Sequence, residues 1–152
     1  MRRTPITLVA LAWLGACGGE PPPPPAAEEA PPAMTRADSV EMAVERFDST
    51  VFDTIQWQSE DAAAERGGLV YRVSCTACHG EGGSGGRGFI VQNDTLKPPP
   101  FTDAGWAYAN DPMNLRRRIF TGAILGMPYW GLVGMSYKDV DAVARYILGV
   151  LR

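Results

Sequence analysis

The chain has 152 residues, 45% of them apolar and 20% charged. That is one domain with appendages, and it excludes both a wholly disordered chain and a collagen-like one. A net charge of −3 excludes a bulk nucleic-acid binder, three cysteines are too few for a disulfide-stapled miniprotein, and there is a single histidine, His79. The charge is uneven. Residues 18–60 carry nine acidic and two basic side chains and residues 61–152 carry eight and ten, so an acidic arm precedes a mildly basic body.

Met1-Arg2-Arg3 and the apolar stretch Ile6 to Leu14 read as an export signal, since the run is shorter than the roughly 20 residues a membrane-spanning helix needs. Its end, Leu14-Gly15-Ala16-Cys17, resembles the lipobox of bacterial lipoproteins. That resemblance implies a signal peptide over 1–16 and a lipidated Cys17 as the first mature residue. The body is then expected outside the cytoplasm, in a bacterial cell envelope and anchored to a membrane. Residues 17–35 contain Pro21 to Pro25 and Pro31-Pro32, and proline removes donors and fixes φ, so this stretch is expected to be a disordered Pro-rich tether. At ~3.1 Å per residue it would reach up to roughly 55 Å.

Residues 36–60 are expected to form an acidic, amphipathic helical arm. Val40, Val44, Phe47, Val51 and Ile55 fall on one helical face, and Thr35 with Asp38 fits a capping box. A polar break at Gln56 to Ser59 leads to a second helix from Glu60, with Ser59 as N-cap.

The chemistry lies in Cys75-Thr76-Ala77-Cys78-His79. Two cysteines three apart face one side of a helical turn, and the adjacent histidine can turn its imidazole toward the same point. The spacing suits covalent haem attachment, each thiol adding to one vinyl group and His79 Nε2 ligating the iron. A thioredoxin-like site would need a βαβ setting that is missing, and a structural zinc site needs four ligands, one more than remain once Cys17 is committed to lipid.

Gly67, Tyr71 and Cys75 fall four apart. Near the C-terminus Ser136 with Asp139 opens a helix whose Val140, Val143, Ala144, Ile147, Leu148 and Leu151 repeat at helical spacing beside Tyr146. On these residues the segment 61–152 resembles a class I c-type cytochrome. The resemblance implies an all-α domain wrapped around one covalent haem c, with the two terminal helices crossing at Gly67, Tyr71 and Tyr146.

With one histidine, bis-histidine ligation within the chain is impossible, and methionine is the natural sixth ligand. Met1 belongs to the signal, Met34 and Met42 to the arm, and Met113 follows the helix start Asp111-Pro112. Met127 and Met135 remain. The resemblance favours Met127, because the family's ligand sits at a Met-Pro step between the last two helices. Pro128 would also restrict the Met127 backbone to an extended form.

Two matches in the glycine-rich run fail. Gly83 to Gly88 fits G-x-G-x-x-G but follows no strand. Gly82 to Gly86 fits G-x-S-x-G, but the hydrolase base would have to be His79. The run is expected to fold as a loop at the haem edge. In Lys97-Pro98-Pro99-Pro100 a backbone carbonyl is expected to hold the free N–H of His79, as such loops do in the family. Phe101, Trp106, Tyr129 and Trp130 are expected to wall the haem. Arg116, Arg117 and Arg118 read as a solvated face, or as a docking patch or propionate anchor.

A haem iron with both axial positions filled transfers single electrons and has no site for a small-molecule substrate. The chain therefore reads as a membrane-tethered one-electron carrier, not an enzyme, working with redox protein partners. A second reading is a fixed subunit of a quinol-oxidising or terminal-oxidase complex, given a similarity to the lipoprotein cytochrome of alternative complex III. A third is a haem enzyme or gas sensor with an open sixth position.

Overall fold

A computed structural model describes residues 33–91 and 93–152. The export segment 1–16, Cys17 and the linker as far as residue 32 lie outside the described residues.

The first helix, α1 (Arg36–Arg46), starts at the expected capping box: Thr35 Oγ1 accepts from the Asp38 amide and Asp38 accepts from the Thr35 amide. It does not run on to residue 57. Phe47 leaves the helix with φ −73° and ψ 117°, and Asp48 caps a separate 3-10 segment, Ser49–Thr54. Asp48 Oδ1 accepts from both the amide and the hydroxyl of Thr50, at 2.9 and 2.7 Å. Short polar side chains that bond their own backbone compete with helix in this way, and apolar spacing does not register it. The face that α1 buries is correspondingly displaced: Ser39 and Ala43 are covered, while Val44 is exposed.

Helix α2 (Glu60–Ser74) is capped by Ser59 and passes at Cys75 into the single turn α3 (Thr76–His79). A two-stranded antiparallel hairpin follows, β1 (Phe89–Val91) with β2 (Asp94–Leu96), pairing Phe89 with Leu96 and Ile90 with Thr95. This corrects the all-α expectation in detail: the described residues are mostly helical, with a small sheet where only loop was expected. Helix α4 (Pro112–Thr121) has Asp111 as N-cap and Pro112 in its first turn, as its sequence implies. Helix α5 (Tyr137–Tyr146) continues into a π-helical turn, Ile147–Leu151.

Helices α2 and α5 cross in close contact. A Cβ on Gly67 would run into the carbonyl oxygen of Ala142 and the Cβ of Tyr146, so only glycine lets the two backbones meet. Tyr71 is 1% exposed and its ring lies 5.6 Å from that of Tyr146. Val140, Val143 and Ala144 of α5 and Ile147 of the π-helical turn share one core cluster with Leu115, Ile119 and Phe120 of α4.

The arm closes the other side of this core. Phe47 and Phe52 pack with Phe120 and Tyr137 at centroid distances of 4.8 to 6.4 Å. The Tyr137 hydroxyl donates to the Arg46 carbonyl and accepts from the Asp48 amide. Residues 36–57 are thus built into the domain.

Candidate functional site

The turn holding Cys75, Cys78 and His79 is fixed from three sides. Within it, the Cys75 carbonyl accepts from the amides of Cys78 and His79 at 3.2 and 2.9 Å. Below it, the Tyr71 hydroxyl donates to the Gly80 carbonyl at 2.6 Å. Beyond it, the Gly85 amide donates to the His79 carbonyl and the Phe101 amide to the Gly83 carbonyl, which folds the glycine-rich run back over the turn. Gly85 at φ 87° abuts the Pro98 carbonyl, a conformation and a clearance open to glycine alone.

These elements bound a cavity of about 520 Å³. Cys75, Cys78 and His79 line it from α2 and α3, Pro98, Pro99 and Phe101 from the proline run, Leu115 and Ile119 from α4, and Met127 and Trp130 from the loop before α5. The two cysteines are free thiols. Met135 does not reach this space; it borders a separate groove with Leu69, Val73 and Val133. Of the two methionines the sequence left open, only Met127 shares the cavity of His79.

Burial pushes the Cys75 thiol up to about 12, with Cys78 adding to it, so the thiol is held protonated. Burial also lowers the His79 pKa, which keeps its imidazole neutral with a lone pair available to a metal. The Phe101 ring stacks on that imidazole, at 5.0 Å between centroids and 29° between planes.

Some expectations need correction. No carbonyl of the proline run holds His79: Nδ1 is buried and has no hydrogen-bond partner, and the Pro98 carbonyl faces Gly85 instead. Tyr129 does not line the cavity; the guanidinium of Arg36 lies over its ring at 6.0 Å. The three arginines are not one solvated face, because helical rotation separates them. Arg116 pairs with Asp141 at 2.7 Å and lies over the Phe52 ring, Arg117 is exposed, and Arg118 lines the cavity. Arg118 donates to the Tyr108 hydroxyl at 2.7 Å and to the Gly122 carbonyl at 3.1 Å.

The sequence reading missed Asp141, which is 1% exposed. It accepts from Trp57 Nε1, Arg116 and Arg145 at 2.7 to 2.8 Å. Its signal was an acid inside the apolar stripe of α5, four residues before Arg145.

The chain can be compared with known proteins. Residues 62–147 match the family described as cytochrome c oxidase, cbb3-type, subunit III. A cbb3-type cytochrome c oxidase subunit CcoP of Cereibacter sphaeroides is 31% identical over 97 residues, covering 63% of this chain and 31% of that one. A CcoP subunit of Azospirillum brasilense is 35% identical over 89 residues, covering 59% and 29%. A FixP subunit of Azorhizobium caulinodans is 33% identical over 85 residues, covering 56% and 26%. The chain therefore spans less than a third of these relatives' length. No solved structure matches it. No helix among the described residues is long and apolar enough to cross a membrane.

Proposed function

Since the chain belongs to the cbb3-type cytochrome c oxidase subunit III family and is a class I c-type cytochrome, we propose that it is an electron-transferring cytochrome c subunit of a terminal-oxidase-type complex. The observation that carries this is the single apolar cavity on which Cys75, Cys78, His79 and Met127 converge.

The residues fit a covalent haem c, one per chain, because the chain has one C-x-x-C-H run. Cys75 and Cys78 would hold it by thioether bonds, with His79 and Met127 as axial ligands. The chemistry of the donor set supports that assignment: a neutral imidazole, two thiols and a thioether sulfur line one largely apolar cavity. Bound there, the haem supplies a one-electron couple, with methionine ligation raising its potential. The protein's part is to keep water off the metal, through Phe101, Trp106 and Trp130, and to place the thiols and ligands on short, tied turns.

The names of the relatives favour a fixed oxidase subunit over the freely moving carrier that the sequence first suggests. An arm packed into the domain suits permanent docking better than an arm left free to search. The partners are then redox proteins of one assembly. Lipidation at Cys17, with the proline-rich linker as tether, would hold the domain at the outer face of the membrane in the cell envelope.

The test is purification of the tagged protein from its native membrane after mild solubilisation. Co-purification of an oxidase, together with a haem adduct on the Cys75–His79 peptide in mass spectrometry, is the expected result. A haem-bearing monomer would return the carrier reading. Two free thiols on the exported chain would remove the cytochrome reading altogether.

A further inference from the structure

The loop that carries Met127 is held from outside the region matched by the family. It leaves α4 at Gly122 and turns tightly about Ala123. The Ala123 amide donates to the Met127 carbonyl at 3.0 Å, and the Ala123 carbonyl accepts from the Gly126 amide at 3.2 Å. That same carbonyl accepts from Nε of Arg36 at 3.3 Å, 87 residues away in sequence. The Arg36 guanidinium also lies over the ring of Tyr129, two residues past Met127, at 6.0 Å. One side chain thus touches the segment on both sides of the sulfur-bearing residue. Its base is firm, because the helix it projects from buries Ser39 and Ala43 against the body.

We propose that Arg36 is a positioning residue for Met127, so that the N-terminal arm holds the methionine sulfur in the cavity from the far side of the loop. This rests on the reading of Met127 as an axial ligand. Arg118 braces the start of the same loop through the Gly122 carbonyl. Between them the two cations fix Gly122, Ala123 and Tyr129, and the loop keeps little freedom to swing Met127 away. Without Arg36 the Ala123 turn keeps its internal hydrogen bonds but is no longer tied to the arm. Conformers with Met127 withdrawn are then more populated, and an added ligand competes for the vacated position more easily.

Exogenous imidazole measures this directly. It is titrated into the ferric, haem-loaded full-length protein while the methionine-to-iron absorption band is followed. A net hydrogen bond of ordinary strength predicts that Arg36→Gln binds imidazole roughly three- to tenfold more tightly than wild type. Arg36→Lys, which keeps a cation near the Ala123 carbonyl, stays nearer wild type. Arg46→Gln, at the other end of α1, leaves the affinity unchanged. Equal affinity for Arg36→Gln and wild type overturns the proposal. So does an equal rise in Arg46→Gln, which would show general loosening of the arm. A wild-type protein with haem attached but no methionine band overturns the ligand reading and this proposal with it; a wild-type band with an indifferent Arg36→Gln overturns this proposal alone.

Discussion

The indole of Trp57 donates to Asp141 Oδ2 across 2.7 Å, which joins the segment before α2 to the buried face of α5. Arg116 from α4 and Arg145 from α5 complete the set around the same carboxylate, and Arg145 reaches on to Glu60 at 2.7 Å. One carboxylate therefore ties together the segment before α2, α4 and α5, and Arg145 extends the set to α2. Burial by itself would raise the Asp141 pKa; the hydrogen bonds from Trp57, Arg145 and Arg116 outweigh it, and the carboxyl lies below its ordinary value of 3.8. Asp139 is lowered too, chiefly by its hydrogen bond from Arg66.

A depressed folded-state pKa means that the unfolded chain takes up protons first as pH falls. The stabilisation from these two groups is complete above the ordinary carboxylate range and is lost as pH drops below about 4 toward the folded-state values. Denaturant midpoints measured between pH 7 and pH 3 should show that fall, and Asp141→Asn should flatten it. At pH 7 Asp141→Ala should cost about 3 kcal/mol or more, because it strands Arg116 in a nearly dry position. Trp57→Phe removes one neutral donor and should cost about 1 kcal/mol.

The α2–α5 crossing makes a sharper demand. Gly67→Ala places a methyl where the Ala142 carbonyl oxygen and the Tyr146 Cβ already stand, and backbone cannot give way as a long side chain can. The expected loss exceeds about 3 kcal/mol, read as a collapse in yield of haem-bearing protein. Gly149→Ala serves as control, since nothing lies within 4 Å of a Cβ there, and it should be tolerated.

What the sequence discloses and what it hides divide by range. The turn at Cys75 to His79 and the caps at Thr35, Ser59, Asp111 and Ser136 are each encoded by residues within one or two helical turns of each other, so spacing reveals them. The α2–α5 crossing brings Gly67 against Tyr146, far apart in sequence, and only the family resemblance implied it. The split of the arm at Asp48 is local as well, but it is a contest between a side-chain cap and an apolar stripe, and only the stripe has a period. Asp139 shows the same ambiguity: it sits where a capping box would place it, yet its carboxylate is drawn to Arg66 at 2.7 Å. Asp141, Arg116 and Trp57 are illegible singly. Each is an ordinary polar or aromatic residue until folding brings together positions up to 84 apart. The hairpin at Phe89 to Leu96 is hidden by its length, three residues a side, inside a stretch rich in glycine and proline.

Arg118 puts a cation in the cavity wall. A positive charge beside a one-electron centre favours the reduced form. Its removal in Arg118→Leu should lower the midpoint potential by tens of millivolts, the size of a charge interaction of about 1 kcal/mol in a partly screened site. Arg117→Leu, on the exposed side of the same helix, should move it far less. Spectroelectrochemical titration of the three proteins checks both statements.

The two methionines separate most cleanly. Met127 shares its cavity with His79, Cys75 and Cys78, whereas Met135 borders the groove beside Leu69 and Val73 and is tied to Trp130 by its amide at 2.9 Å. In Met127→Ala the sulfur is gone from the cavity, which no other methionine among the described residues lines. The methionine-to-iron absorption band should vanish, carbon monoxide should bind the reduced protein promptly, and the midpoint potential should fall by about 100 mV or more, since axial ligation governs potentials over about 0.8 V. Met135→Ala should leave band, carbon monoxide response and potential as they are. It trims packing on a half-buried residue, with a cost of about 2 kcal/mol or less. Loss of the band in Met135→Ala and its survival in Met127→Ala would assign the ligand to the groove instead of the cavity.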